Sequence, residues 1–529
     1  MQLKSLFCLA VVCLAVWAAE AQSILNTNRT RRSLSLDECV RMALEQSHRI
    51  KVLRFDPKVD RYQLAASYGV YDPVFSTEYT RRNSTTQGQF DPDDGTVNNG
   101  ATSKSDEVIA GLSGLLPSGL TYSLGGSFAH TRGTEFDTIS QDFDTWVADA
   151  SIQLEQPLLR NLWTDAARTE IEVRKRDVKI SELAVETEVR LVIRDVQLAY
   201  YQLLFALEEV RVQQQAHALA TNFVAQEREK LKVGRLAEID LKRAESQVAT
   251  TLADLVLAQQ QANAVDNLLK SLITDKYKDW LNVRIQPTEK LVAVPEPLSV
   301  AESWASAVAE RPELRALEVE GEILYLEKKR RHNQLFPQLN LVGGYGRSGL
   351  DKSFKIAGYT NNIPIPPQIF PPVNYQSTLG AALDDIARGD DNRWNVGAVF
   401  SMPLSRTLER NRYKATKEEV KKNEALREQF RQIILVEVDQ AIDQARADYQ
   451  RISLTREARI YAEAAVEAEE RRYQAGTGTS FNVLEAQNDL TQKRSDEIRA
   501  LTDYLIRLST LRHADGTILQ RSKVSIKFK

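Results

Sequence analysis

Any chemistry in this chain would have to come from a few scattered residues. The five histidines, His48, His130, His217, His332 and His513, include no pair at metal-ligand spacing. Cys8 and Cys13 fall in a leader-like segment, which leaves Cys39 alone and rules out an intrachain disulfide or a thiolate cluster. Gly476-Thr477-Gly478 comes nearest to a phosphate cradle, but it has no third glycine and no strand before it, so it reads as a turn. There is no Gly-x-Ser-x-Gly elbow and no phosphate-binding loop. The many carboxylates sit in helical patterns, where charge marks a solvated face. No catalytic, metal or cofactor site is expected, and the chain reads as something other than an enzyme.

The elements that would position a site are therefore the main source of information. The 529 residues carry a net charge of −3 and are 43% hydrophobic, which suggests neither nucleic-acid binding nor disorder. Residues 1–21 have a basic residue, Lys4, an apolar run from Leu6 to Ala18, and Ala19-Glu20-Ala21 before Gln22. That is the pattern of a secretory signal peptide cut after Ala21. Val12 before Cys13 does not fit a lipoprotein signal, so no lipid anchor is indicated. Beyond the leader no apolar stretch reaches the roughly 18 residues of a membrane-spanning helix, so an exported chain that crosses a bilayer must do so as a closed β-barrel.

The chain is duplicated. Ser35 to Glu38, Ala43 and Ile50 match Ser299 to Glu302, Ala307 and Leu314 at one constant offset, which also places Pro73 on Pro337. At a second, smaller offset Gly234, Ala244 and Glu227 match Gly476, Ala486 and Glu469, so the second half is shorter. Each half runs in the same order: capped helix, proline-opened strand, loop, strand, two long helices.

At Val185, Val189, Val192, Val196, Ala199, Leu203, Ala206 and Val210 apolar residues alternate at spacings of four and three, and Ile171 and Val178 stand in the same phase at intervals of seven. That is a coiled-coil seam. A helix of about 65 residues would be about 100 Å long and must pack lengthwise on partners. Val233-Gly234-Arg235 breaks it before a second run, Ala237 to Ile273, which makes an antiparallel hairpin. Val420, Ile434, Val438, Ala441, Ala445 and Ile452 repeat the seam, followed by the turn Ala475 to Ser480 and the run Phe481 to His513.

Phe75, Thr77 and Tyr79 alternate with polar residues, and Leu339, Leu341 and Tyr345 share one parity. Ala148 to Pro157 and Trp394 to Pro403 are strands ended by proline just before a long helix. Val108 to Leu115 and Leu120 to Phe128 flank Pro117-Ser118-Gly119 as an extra hairpin, with long polar connections expected at about 82–105 and 131–143. One chain offers only about four to six strands, below the minimum of about eight for a membrane barrel, so chains must pool them; three copies give roughly 12 to 18.

In this order and spacing the chain resembles the TolC-like outer membrane efflux family. The motifs that carry the resemblance are Ser35-Leu36-Asp37-Glu38-Cys39-Val40 with its copy Leu298 to Glu302, Gln156-Pro157-Leu158-Leu159-Arg160, and Arg472 to Thr477 followed by Val483-Leu484-Glu485-Ala486-Gln487. The resemblance implies a mostly helical α+β fold: long antiparallel coiled-coil hairpins forming a periplasmic tunnel, with strands contributing to a shared trimeric transmembrane β-barrel. It also implies a homotrimer in outer-membrane lipid, a periplasmic adaptor and an inner-membrane pump as partners, and no nucleic acid.

By the same resemblance Tyr473 and Asp240 match gate-linking positions, and Glu485 matches an acidic ring. Asn482 stands where relatives have the other ring aspartate, and Gly478 where they have a linking arginine, so a differently locked gate with weaker cation selectivity is expected. Val233, Gly234 and Arg235, with Ala475, Gly476, Thr477 and Gly478, match the tips that meet the adaptor. Plain helix-turn chemistry explains the glycines equally well.

The expected organisation is a signal at 1–21 and a first repeat at 22–273, with strands near 73–82, 107–130 and 147–157 and long helices near 163–232 and 237–273. An equatorial linker at 274–297, containing Trp280, leads to a second repeat at 298–515, with strands near 338–347 and 393–403 and helices near 407–474 and 480–514. A tail follows at 516–529. The largest surface loop is expected at about 348–392. The competing reading is a structural coiled-coil envelope protein without a channel, which has no need of proline-ended strands at matching points in both halves.

Overall fold

The computed structural model describes residues 30–93, 95–98, 100–136, 140–232, 237–356 and 377–524. In chain order the elements are β1 Thr30–Leu34, α1 Leu36–Gln46, α2 His48–Leu53, α3 Asp56–Ser67, β2 Val74–Thr85, β3 Gln89–Asp91, β4 Thr96–Asn98, β5 Thr102–Leu115, β6 Thr121–Phe136 and β7 Ser140–Pro157. They continue as α4 Ala166–Lys232, α5 Glu238–Ile273, β8 Val283–Pro287, α6 Val300–Glu310, α7 Pro312–Asn333, β9 Gln338–Ile356, α8 Leu379–Arg388, β10 Asp391–Ser401, α9 Thr407–Gln474, α10 Ser480–Ala514 and α11 Ile518–Arg521. The described residues form two compact units: one holds those up to Lys58 with Lys179–Val319 and Glu424 onward, and the other holds Val59–Val178 and Glu320–Asn423.

The first unit is helical. Helices α4 and α9, of 67 and 68 residues, exceed what propensity alone sustains and are held by their seams. Val185, Val189, Val192, Val196, Ala199 and Leu203 are all buried, as are Ile434, Val438, Ala441, Ala445 and Ile452 of α9. Each half opens on a capped helix. Ser35 Oγ accepts from the Glu38 amide at 3.2 Å while the Glu38 carboxylate accepts from the Ser35 amide at 2.9 Å, and Ser299 accepts from the Glu302 amide at 3.4 Å.

The expected linker 274–297 has structure of its own. Strand β8 pairs in parallel with β1, a strand not expected from its polar sequence. Trp280 is buried beneath the Arg32 guanidinium, 4.8 Å from its ring centre, and joins the core of Val192, Val196 and Leu269. The pair of strands fastens the start of the described chain to the joint between the repeats.

The second unit is a six-stranded antiparallel sheet in the order β10-β9-β7-β6-β5-β2, with helix ends at one rim. Three expectations change here. The connection expected at 131–143 is mostly ladder, with Thr131 opposite Thr145 and Thr134 opposite Asp142. The region 82–105 carries the small hairpin β3–β4. Strand β9 runs on to Ile356 because β7 supplies partners that far, Val147 for Leu350 and Phe143 for Phe354. Polar side chains do not prevent pairing once a neighbouring strand supplies the amides.

The loop expected at 348–392 also contains α8, capped by Thr378 and ended by Gly389 in the left-handed conformation at φ 77°. Residues 362–372 of that loop lie outside the described residues.

Candidate channel wall and gate

The register of the sheet sorts its residues into two faces. One face carries Phe75 and Tyr79 on β2, Leu112 and Val108 on β5, and Tyr122, Leu124 and Phe128 on β6. It continues through Ile152 and Leu154 on β7, Leu341 and Tyr345 on β9, and Trp394, Val396 and Phe400 on β10. The other face carries Ser76 and Glu78, Gly111 and Ser113, Ser123 and Gly125, Ser151 and Gln153, Asn340 and Gly344, and Asn395 and Gly397. Because side chains alternate along a strand, the wall is largely apolar on one side and largely polar on the other, with Ile109, Val342 and Val399 as apolar residues on the polar side. On the apolar face, strands β2, β6 and β10 each carry two aromatics, Phe75 and Tyr79, Tyr122 and Phe128, Phe400 and Trp394.

The sheet does not close. Strands β2 and β10 are its edges, and neither has a second partner among the described residues. On β10, Trp394 is 73% and Val396 71% exposed.

At the rim where strands enter helices, two turns hold non-glycine residues at positive φ, Asn161 at 67° and Arg406 at 47°. Both are braced by the end of α7: Asn161 N donates to Asn333 Oδ1 at 2.8 Å, and Arg406 donates to the Leu335 carbonyl at 3.0 Å. Beside them, on the polar side of the sheet, a cavity of about 870 Å³ is lined by Glu155, Asn340, Arg160, Arg330, Arg331 and Arg412 among others.

In the helical unit, the last turns of α4 and α9 and the first turns of α5 and α10 meet in a small core of Phe223, Val224, Leu241, Ala244, Val483 and Leu484. Tyr473 lies against it. Its hydroxyl donates to the buried carboxylate of Glu227, Lys230 Nζ stands 3.8 Å from its ring centre, and Phe223 packs 5.8 Å away. Lys230 also pairs with Glu227 at 3.0 Å. Burial first, then the bond to Glu227, raises the phenol above its ordinary range, so it stays a donor.

Glu227 is the residue that sequence reasoning missed as part of the site. Its signal was the repeat itself, which matches it to Glu469.

The other expected site residues are placed as follows. Asp240 stands in the first turn of α5 and pairs with Arg243 at 3.6 Å, not with Tyr473. Asn482 serves its own helix end, its amide donating to Thr479 Oγ1 at 3.3 Å and its side chain accepting from that hydroxyl at 3.1 Å. Glu485 is exposed on α10.

Helix α9 ends at Gln474 and is closed just beyond, with Thr477 N donating to the Arg472 carbonyl at 3.0 Å and Gly476 N to the Tyr473 carbonyl at 3.1 Å. This is a Schellman closure with Gly476 at φ 78°. Gly478 folds back so closely that a Cβ there would sit 3.0 Å from Tyr473 N and 3.3 Å from Arg472. Val233, Gly234 and Arg235 lie outside the described residues.

A family model described as "Outer membrane efflux protein" matches residues 106–273 and 305–517. The chain belongs to that family. As an outer membrane efflux protein it is 23% identical over 385 residues to the outer membrane protein TolC of Salmonella enteritidis, covering 71% of this chain and 70% of that one. It is 22% identical over 431 residues to TolC of Escherichia coli K12, covering 80% and 78%. Its fold matches the Campylobacter jejuni CmeC outer membrane channel with a TM-score of 0.62 at 15% identity over 93% of this chain and 90% of that one. The efflux protein is thus an outer-membrane channel protein, with its helical part in the periplasm, and the TolC-like resemblance read from the repeats is the family relationship.

Proposed function

We propose that the chain is one subunit of a passive homotrimeric conduit in a tripartite efflux or type I secretion system, carrying cargo across the periplasm and outer membrane. A periplasmic adaptor joins it to an inner-membrane pump that supplies the energy. The observation that carries this reading is the sheet with one apolar face, one polar face and two unpaired edges. In lipid every backbone amide needs a partner, so an open sheet can enter a bilayer only if other copies complete it. A coiled-coil scaffold without a channel has no use for such a wall.

In this reading the helix ends around Tyr473 are the closable mouth. Tyr473 and Glu227 tie α9 to α4, Asp240 stands beside them, Asn482 shapes the start of α10, and Glu485 contributes the acidic ring. The turn Ala475-Gly476-Thr477-Gly478, with Val233, Gly234 and Arg235, faces the adaptor. A side chain at Gly478 would crowd the Tyr473 amide, so in this reading the lock rests on Tyr473.

Planar-bilayer recording tests this. The purified protein should give ion channels whose cation preference drops in Glu485→Gln. Channels whose selectivity the substitution leaves unchanged would remove Glu485 from the ring, and absence of any conductance would count against the conduit.

A further inference from the structure

Six strands of one chain form a single uninterrupted wall, and their register fixes their slant. Following the pairing from Val74 through Ser113, Ser123, Gln153 and Gly344 leads to Asn395, six residues short of the strand end at Ser401. Val74 and Ser401 both lie where strands adjoin helices, and the strand ends Leu115, Thr121, Pro157 and Gln338 step in the same direction. Six residues over five strand steps is about 1.2 residues per strand, which at about 3.3 Å rise and 4.8 Å spacing tilts the strands by about 40°. That lies within the range of closed membrane barrels.

The hairpin β5–β6 belongs to this wall. It is paired on both sides, to β2 from Thr102 to Ser113 and to β7 from Thr121 to Phe136. It also keeps the two-faced pattern, with Leu112 and Leu124 on the apolar face and Ser113 and Ser123 on the polar one. Without it a chain would offer four strands instead of six.

We propose that three copies close an eighteen-stranded barrel, with six strands from each, whose lumen is wide enough to admit a polypeptide in helical form. The proposal rests on the trimeric conduit described above. At the tilt and spacing given, eighteen strands make a backbone cylinder about 36 Å across, against about 24 Å for twelve. The polar face carries many short residues, among them Gly111, Ser113, Ser123, Gly125, Ser151 and Gly346, beside the longer Glu78, Gln153, Glu155 and Arg393. An α-helix with its side chains is about 10–12 Å thick, so the barrel does not set the size limit and the constriction falls to the helix ends.

End-on electron-microscopic averages of the full-length protein in lipid nanodiscs, with the copy number taken from native mass, test the width. Three copies around a wall about 36 Å across are expected. Three copies around a wall about 24 Å across would overturn the eighteen-stranded barrel and leave the conduit standing, whereas a particle without a ring would overturn both.

Thiol labelling gives a second reading. Leu112→Cys should react with a lipid-soluble maleimide and Ser113→Cys with a water-soluble one. Equal reaction of both with the aqueous reagent would place the hairpin outside the wall and overturn the proposal.

Discussion

Tyr473 illustrates how one hydroxyl can hold two long helices. It satisfies a fully buried carboxylate, Glu227, which also pairs with Lys230 on the same helix. In Tyr473→Phe one donor to that carboxylate is lost, which costs about 1–3 kcal/mol of local stability. Amide exchange in the last turns of α4 and α9 should speed up, and channels should open more often. Unchanged exchange and conductance would show that the contact holds nothing.

His513 at the end of α10 offers a pH handle of the same scale. Burial, then the guanidinium groups of Arg194, Arg311 and Arg190, lower it from 6.5 to about 4. The unfolded chain therefore takes up a proton near pH 6.5 that the folded chain refuses until about 4, so this stability is full above 6.5 and is lost as pH falls toward 4. The size is on the order of 3 kcal/mol. His513→Asn should flatten the acid limb of melting temperature against pH, and an unaltered limb would assign that slope to other groups.

At the scale of elements, the helices were legible because burial needs the same three-and-four spacing that the sequence displays from Val185 to Val210. The strands were legible only where apolar residues alternate. Thr30–Leu34 was missed because Thr-Arg-Arg-Ser-Leu has no alternating pattern and becomes a strand only by pairing with β8. Helix α8 was hidden in an expected loop, since ten residues between Thr378 and Gly389 are too few to show a period. Glu227 could not be recognised as the partner of Tyr473, because that contact joins residues far apart in sequence.

The two faces of the sheet carry an expectation of their own. Leu124→Arg puts a charge in lipid and should lower stability by about 2–4 kcal/mol, while the neighbouring Ser123→Arg faces water and should cost little. Unfolding in denaturant from lipid vesicles measures both, and equal losses would contradict the assignment of the faces.

For the whole molecule, a single copy is incomplete. Its edge strands β2 and β10 leave amides unpaired and large apolar side chains exposed, and the chain offers no further strand among the described residues to cover them. The repeat pattern pointed to pooled strands, but it left their number open between four and six because the reach of β5 and β6 depends on pairing rather than on composition.

Joining the edge of one copy to the opposite edge of the next is the central claim. Since Thr77, Ala398 and Phe400 lie on the apolar face of those edges, cysteine pairs Thr77→Cys with Ala398→Cys, or Thr77→Cys with Phe400→Cys, bracket the two registers that continue the slant of the wall and keep both faces continuous. Mild oxidation in outer membranes should turn one of these double variants into covalent trimers on a denaturing gel. If neither pair links copies while the protein remains folded and inserted, the sheets do not merge and the account fails.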